Sequence, residues 1–314
     1  MNFRDRSVSK EMPRASKAVM AILLLTGAAW VGRSSGLMAF SQGPDGAAEK
    51  ATQRATLKTA AVASPDIPFT VYDSEAEQLL LQLANQARAQ AGALPLTLDS
   101  GLRQAARSHA EGMLAARRLS HQFDNELPLS RRLADMTNAL LEEEGENVAL
   151  DFDAASGHKH LMQSPPHRAN LLNASYNVIG VGVIRSGDRL YIVQDFGRAL
   201  PNYSVAEVKE RIAASVAQAR RHARLSDVAL RDSPTADDAA CSMARADKLG
   251  TSPIHQLAQR YSVLTYTSLH PETLPVSAEQ ALSSPNLHTF FVGACYARTQ
   301  TYPTGAYWVV LALD

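Results

Sequence analysis

Ser164-Pro165-Pro166-His167-Arg168-Ala169-Asn170-Leu171-Leu172 opens a run that closes at Gln194-Asp195-Phe196-Gly197, and the reading of this run decides the fold. Proline is preorganised for the first turn of a helix, so the Pro-Pro pair sets a helix beginning at about His167. Two apolar runs follow, Val178 to Ile184 and Leu190 to Phe196, with Ile179-Gly180-Val181-Gly182-Val183 inside the first. Ser186-Gly187-Asp188 lies between them and has turn chemistry, so the pair reads as a β-hairpin.

The segments upstream read as helices. Ala155 to Gln163 fits a short helix ended before Pro165, and Leu127 to Leu141 a longer one after Pro128, broken by Gly145. Asp99 or Ser100 caps a helix with Leu102, Ala105, Ala106, His109, Ala110, Met113 and Leu114 on one stripe. Ser74-Glu75-Ala76-Glu77 has capping-box spacing. Ala76, Leu79, Leu80, Leu83, Ala84 and Ala87 then make one helix face, stopped at Gly92. Helices come first and paired strands last, which predicts an α+β layered domain over residues 72–200.

The chain has 314 residues, 46% of them hydrophobic, enough for a sizeable core. It carries 31 basic and 31 acidic residues, but the first 39 hold six basic and two acidic, leaving 25 against 29. A mildly acidic body without a Lys/Arg-rich face excludes nucleic acid as the expected partner. Arg4, Arg6, Lys10, Arg14 and Lys17 precede the uncharged run Ala18 to Gly32, the layout of an export signal. Residues 1–39 therefore read as a signal peptide, cleaved near Leu37-Met38-Ala39, or as a signal anchor. In either case the body lies outside the cytoplasm, and any membrane contact is through this segment. Residues 40–71, rich in Ala, Gly, Ser, Thr and Gln, read as a flexible linker.

Residues 201–314 repeat the order of the first domain with gaps. Ser204 and Glu207 have capping-box spacing, and Val208, Ile212, Val216 and Ala219 make a stripe. Arg220 falls where Arg88 does. Ala239, Ala240 and Ala244 echo Ala105, Ala106 and Ala110, and Ser284-Pro285 with Phe291-Val292-Gly293 echoes Ser164-Pro165 with Val178-Ile179-Gly180. Tyr307-Trp308-Val309 likewise echoes Tyr191-Ile192-Val193. A degenerate second copy is expected, with an unrelated small α+β domain or an extension packing on the first domain as the alternatives. Cys241 would sit on a helix and Cys295 on a strand, where they either bridge in an oxidising compartment or stay two buried thiols.

Four phrases, in order and at matching spacing, carry a family resemblance. They are Leu83-Ala84-Asn85-Gln86-Ala87-Arg88 with Leu94-Pro95-Leu96; Leu119-Ser120-His121; Gly145-Glu146-Asn147-Val148-Ala149; and the opening run with its two strands. Together they resemble the bacterial SCP-like branch of the CAP superfamily, whose members include cysteine-rich secretory proteins, antigen 5 and pathogenesis-related class 1 proteins. The resemblance covers about 130 residues and implies an α-β-α sandwich. It also implies a cavity lined by two histidines and two acids, which in some members binds a divalent metal. His121, Glu146 and His167 match three of these positions. No carboxylate stands in Leu161-Met162-Gln163-Ser164, where the second acid is expected, and Glu126 or Asp124 is the substitute.

Two imidazoles and a carboxylate form a competent set for Zn²⁺ or another divalent metal with an open position. Metal-bound water could then attack an ester or amide. Against this, the chain has no His-Glu-x-x-His helix and no Gly-x-Ser-x-Gly elbow. Plain structural roles are also open: His121 at a helix end, His167 packed on its helix, Glu146 in a turn. His109 reads as a core histidine, His158 and His160 as a solvated helix face, and Glu142-Glu143-Glu144 as a solvated run. Arg168 either pairs with a cavity acid or is exposed. The resemblance implies an exported module that binds a small lipidic ligand or a cell-surface partner. The alternatives are a metal-dependent hydrolase of peptide or cell-wall substrates and a structural or adhesive module.

Overall fold

The computed structural model describes residues 22–25 and 72–314. The expected cleavage site, the linker and most of the leader lie outside these residues. In chain order the elements are β1 (Ile22–Leu25), α1 (Ser74–Gln90), β2 (Thr97–Leu98), α2 (Ser100–Ala116), α3 (Leu129–Met136), β3 (Leu140–Asp151), α4 (Ala154–Gln163), α5 (Pro165–Leu172), β4 (Val178–Ser186), β5 (Arg189–Leu200), α6 (Val205–His222), β6 (Ala229–Arg231), α7 (Pro234–Ala246), α8 (Ser252–Leu257), β7 (Ser262–Ser268), α9 (Val276–Leu282), β8 (Thr289–Ala297) and β9 (Ala306–Leu313). Among the described residues no helix is long and apolar enough to cross a membrane. Within the apolar run Ala18 to Gly32, Ile22–Leu25 pairs antiparallel with β7.

Two mixed sheets result, in the orders β2-β4-β5-β3 and β1-β7-β9-β8-β6. In the first, β2 runs parallel to β4 and the other pairs are antiparallel. Strand side chains alternate between faces, so this sheet buries both. Ile179, Val181, Val183, Ile192 and Phe196 pack on Leu80 and Ala84 of α1, Leu161 of α4 and Leu171 of α5. Val148, Tyr191 and Val193 pack on Ala106, Ala110 and Met113 of α2. This is the three-layer α-β-α arrangement. The approach of α2 is close because Gly180 and Gly182 lie beneath it, where a Cβ would overlap the backbone of Leu102 and Ala106.

The second sheet repeats the scheme, with β6 parallel to β8 and β9 between β8 and β7. It is covered by α6 and α9 on one face and α7 and α8 on the other. The Ser204–Glu207 capping box forms as expected. Cys241 on α7 and Cys295 on β8 are joined by a disulfide with a Cα–Cα distance of 5.1 Å. Residues 72–314 fall within one compact unit. The two lobes meet through α3: Arg298 donates to Ala134 O and Thr137 O, and Arg131 to Thr299 O and Gln300 O.

Several local readings are corrected. The N-cap of α1 is Asp73, whose carboxylate accepts from Ala76 N. Glu77 instead forms a bidentate pair with Arg107 and accepts from Val183 N, so the Ser74 capping box does not form. The helix expected over Leu127 to Leu141 stops at Met136, and Leu140 already begins β3. Gly145 does not break this segment. It lies within β3, in register with Phe196, where a Cβ would overlap the Tyr176 hydroxyl. Glu142 is not a solvated acid either, since it pairs with Arg198 at 3.0 Å and with His270 at 2.8 Å. Burial pushes the Glu144 carboxyl above its ordinary value.

Candidate functional site

Three elements and one loop bring the site together. β3 is the edge strand of the first sheet and turns Glu146 toward the α2 face, opposite Asp195 of β5. The loop after α2 leaves that helix through the left-handed Arg117 and carries His121. Helix α3 supplies Arg132, and the first turn of α5 supplies His167.

His121 Nδ1 lies 2.9 Å from Glu146 Oε1, and Arg132 Nη2 donates to Glu146 Oε2 at 2.8 Å. The carboxylate side chain is only 4% exposed, whereas the His121 imidazole is 57% exposed. The buried acid therefore orients an imidazole whose Nε2 accepts or donates no hydrogen bond among the described residues. His167 faces it, with ring centroids 6.3 Å apart. Burial, and then the neighbouring His121, push the His167 imidazole below its ordinary value, favouring the neutral ring. Burial works against the Glu146 charge. The His121 hydrogen bond and the Arg132 and His109 charges more than offset it and hold the carboxyl below 4.5.

The expected His121–Glu146–His167 cluster thus assembles, but not as three equivalent metal ligands. Both oxygens of Glu146 are engaged, one of them by a guanidinium. Among the described residues no group of three or more His, Cys, Asp or Glu side chains is placed to hold a metal ion. Two imidazole edges remain available. Glu126 joins the site from behind: its carboxylate lies 2.7 Å from His109 Nδ1 and 3.5 Å from Arg132 Nη1. Asp124 is exposed on the same loop, and Arg168 is exposed on α5. His109 is a core histidine as expected, fully buried, with both ring nitrogens hydrogen-bonded. His160 pairs with buried Asp151 at 2.6 Å, and half-buried His158 has its pKa lowered by desolvation; the two are not a uniformly solvated face.

Sequence reasoning passed over Arg132 and Asp195. Asp195 is fully buried, and neither carboxylate oxygen has a hydrogen-bond partner. Burial, and then the Glu146 charge across the strands, push its pKa well above the ordinary value, which favours the neutral acid. An ionisable residue inside the apolar strand Tyr191-Ile192-Val193-Gln194-Asp195-Phe196 was the signal that could have found it. Asp195→Val is expected to stabilise the fold at pH 7 by about 1–3 kcal/mol, because an unpartnered buried polar group is removed. The folded-state pKa is raised, so unfolding releases a proton in the pH window between the unfolded value of 3.8 and the folded one. The part of the variant's advantage that comes from this titration is full above the folded pKa, shrinks as pH falls from there toward 3.8, and is gone below it. Thermal unfolding of both proteins at pH 7 and pH 3.5 checks the sign and the trend.

A carboxylate-anchored imidazole thus faces a second one at the edge of an α-β-α sandwich. Residues 81–196 match the family model described as CAP, the cysteine-rich secretory protein family, and this segment is a CAP domain. The chain is similar to the Bacillus subtilis uncharacterized membrane protein YlbC, 31% identical over 121 residues that make up 38% of this chain and 34% of that protein. It therefore spans about a third of the length of that relative. A Bacillus anthracis extracellular protein containing an SCP domain is 25% identical, with 40% of this chain and 41% of that one covered and a TM-score of 0.37. A structure of NaASP2 with Zn²⁺ is 13% identical, covering 42% and 84%, with a TM-score of 0.31.

Proposed function

We infer that the chain is an exported CAP-domain binding module that takes a small amphipathic, lipid-like ligand at the His121–His167 edge. One observation carries this reading: a 57% exposed imidazole, held at Nδ1 by a buried carboxylate, faces a second imidazole whose neutral form is favoured by burial. Such a pair hydrogen-bonds a hydroxyl or carboxyl headgroup. Leu119 and Leu127, 48% and 52% exposed on the same loop, offer apolar surface next to it. The Cys241–Cys295 disulfide suits an oxidising, extracytoplasmic compartment.

The second lobe is, in this reading, a degenerate copy of the first. Arg88 and Arg220 each donate through Nε to a carbonyl six residues on, Leu94 O and Ser226 O. Each then reaches two carbonyls spaced two residues apart, Leu171 O and Asn173 O in one lobe, Leu282 O and Ser284 O in the other. Gly180 and Gly293 sit beneath the third residue of α2 and α7, respectively. Sheet order agrees as well, β2-β4-β5-β3 against β6-β8-β9-β7.

Titrating a fluorescent long-chain fatty acid and a fluorescent sterol into wild type, His121→Ala and His167→Ala tests the function. Binding weakened tenfold or more in both variants supports it, and unchanged binding sinks it. The metal-dependent hydrolase is the weaker reading, because Glu146, the carboxylate that would serve as its general base, is committed to Arg132 and His121. Zinc-dependent hydrolysis of a peptide or ester that is lost in His121→Ala would promote it.

A further inference from the structure

The two lobes place comparable backbone positions side by side, and the side chains there differ in kind. Helices α2 and α7 are capped by Asp99 and Ser233, so His109 and Met243 both stand ten residues beyond the cap. Gly180 pairs with Asp195 and Asp195 with Glu146, just as Gly293 pairs with Val310 and Val310 with Thr265. Two residues before Glu146 and Thr265 come Glu144 and Val263. The layer between helix and sheet thus holds His109, Glu144, Glu146 and Asp195 in the first lobe, and Met243, Val263, Thr265 and Val310 in the second. Met243, Val263 and Val310 there join one apolar cluster with Ile254 and Leu257 of α8. This architecture closes without ionisable groups, so the fold by itself does not explain them.

His109 shows what one of them does. Its side chain is fully buried. Nε2 lies 2.9 Å from the carbonyl of Ser120, the residue before His121. A carbonyl only accepts, so Nε2 carries a proton. Nδ1 lies 2.7 Å from Glu126 Oε1, so a second proton sits either on Nδ1 or on the carboxyl. Glu126 Oε2 in turn accepts from Phe123 N. Nε2 is also 3.7 Å from Glu146 Oε2. The ring therefore ties α2 to both ends of the turn Ser120 to Glu126, which carries His121.

We propose that His109 is a positioning residue for His121: with Glu126 it pins the 120–126 loop so that the His121 imidazole is presented to Glu146 in one orientation and one tautomer. The proposal deepens the binding reading above, because it concerns the group that would face the ligand. Its test reads the imidazole and not binding, so the two can fail separately.

The full chain is labelled with ¹⁵N-histidine, and the ring-nitrogen signals of His121 are compared at pH 7.5 in wild type, His109→Met and Glu126→Gln. His109→Met introduces the residue that the second lobe carries at the matching position. Wild type is expected to show the Nδ1–H tautomer that Glu146 accepts. In His109→Met the His121 signals should move toward the averaged pattern of a free imidazole. Glu126→Gln should keep the wild-type pattern, because a neutral His109 can donate to Ser120 O and accept from the glutamine amide. If His109→Met does not fold, Glu126→Leu replaces it and should also average the His121 signals. An unchanged His121 pattern in whichever variant is used, or averaging in Glu126→Gln, overturns the proposal.

Discussion

Replacing Arg88 by alanine is expected to cost about 4 kcal/mol of stability, among the larger effects a single substitution produces. The guanidinium is fully buried and donates to four carbonyls, Leu94 O, Leu171 O, Asn173 O and Tyr176 O, at 2.7–3.0 Å. It ties the end of α1 to the end of α5 and to the loop that enters β4. Alanine would leave these carbonyls without their donor and open a void the size of the side chain. Each buried polar group stripped of its partner costs about 1–3 kcal/mol, moderated where water enters. Arg88→Lys should recover only a minor part, because an ammonium lacks the planar fork that reaches several acceptors at once. Urea unfolding of the two variants, monitored separately in each lobe, checks this. A loss below 1 kcal/mol for Arg88→Ala would refute the account.

Glu146→Ala should be nearly as costly, at about 3–5 kcal/mol, because it strands the Arg132 guanidinium in the interior. The Arg132 side chain is 8% exposed, and its Nε and Nη1 have no hydrogen-bond partner even in the wild type. Without Glu146 the nearest carboxylate contact left to it is Glu126, at 3.5 Å. The pH dependence has a definite sign. The folded-state pKa of Glu146 is depressed, so its contribution is complete above the unfolded value of about 4.5 and is lost as pH falls through the folded value. The stability gap between wild type and Glu146→Ala should be flat from pH 7 to pH 5 and narrow below that. Glu146→Gln should fall between the two, since an amide can still accept from Arg132 but carries no charge. A gap that widens on acidification would contradict the assignment of Glu146 as the buried anion of the site.

Much of the fold was legible in local pattern. The stripes on α1, α2 and α6, the Asp99 cap and the β4–β5 hairpin follow from periodicity and turn chemistry, both properties of neighbouring residues. β3 was not legible. Leu140-Leu141-Glu142-Glu143-Glu144-Gly145 has poor strand propensity and a run of acids, and it reads as the end of a helix. It becomes a strand because Leu140 to Asp151 ladders along β5, and because Arg198, His270 and Arg132 meet its carboxylates. Arg198 and His270 lie far away in sequence, so no local window contains the whole signal.

The site divides in the same way. The sequence alone pointed to the CAP domain, to His121, Glu146 and His167 as candidates, and to the echo of Arg88 in Arg220, because each rests on ordered phrases or fixed spacing. Only the tertiary structure decided how those residues are used. It made Glu146 an anchor for His121 and Arg132, drew His109 and Glu126 in behind them, and buried Asp195 without a hydrogen-bond partner beneath α2. The reason is physical: protonation and hydrogen-bond roles depend on burial and on facing groups, and both are set by which strands and helices pack together. Pairing of β3 with β5 and close packing of α2 over Gly180 create that environment, and neither can be read from the residues one at a time.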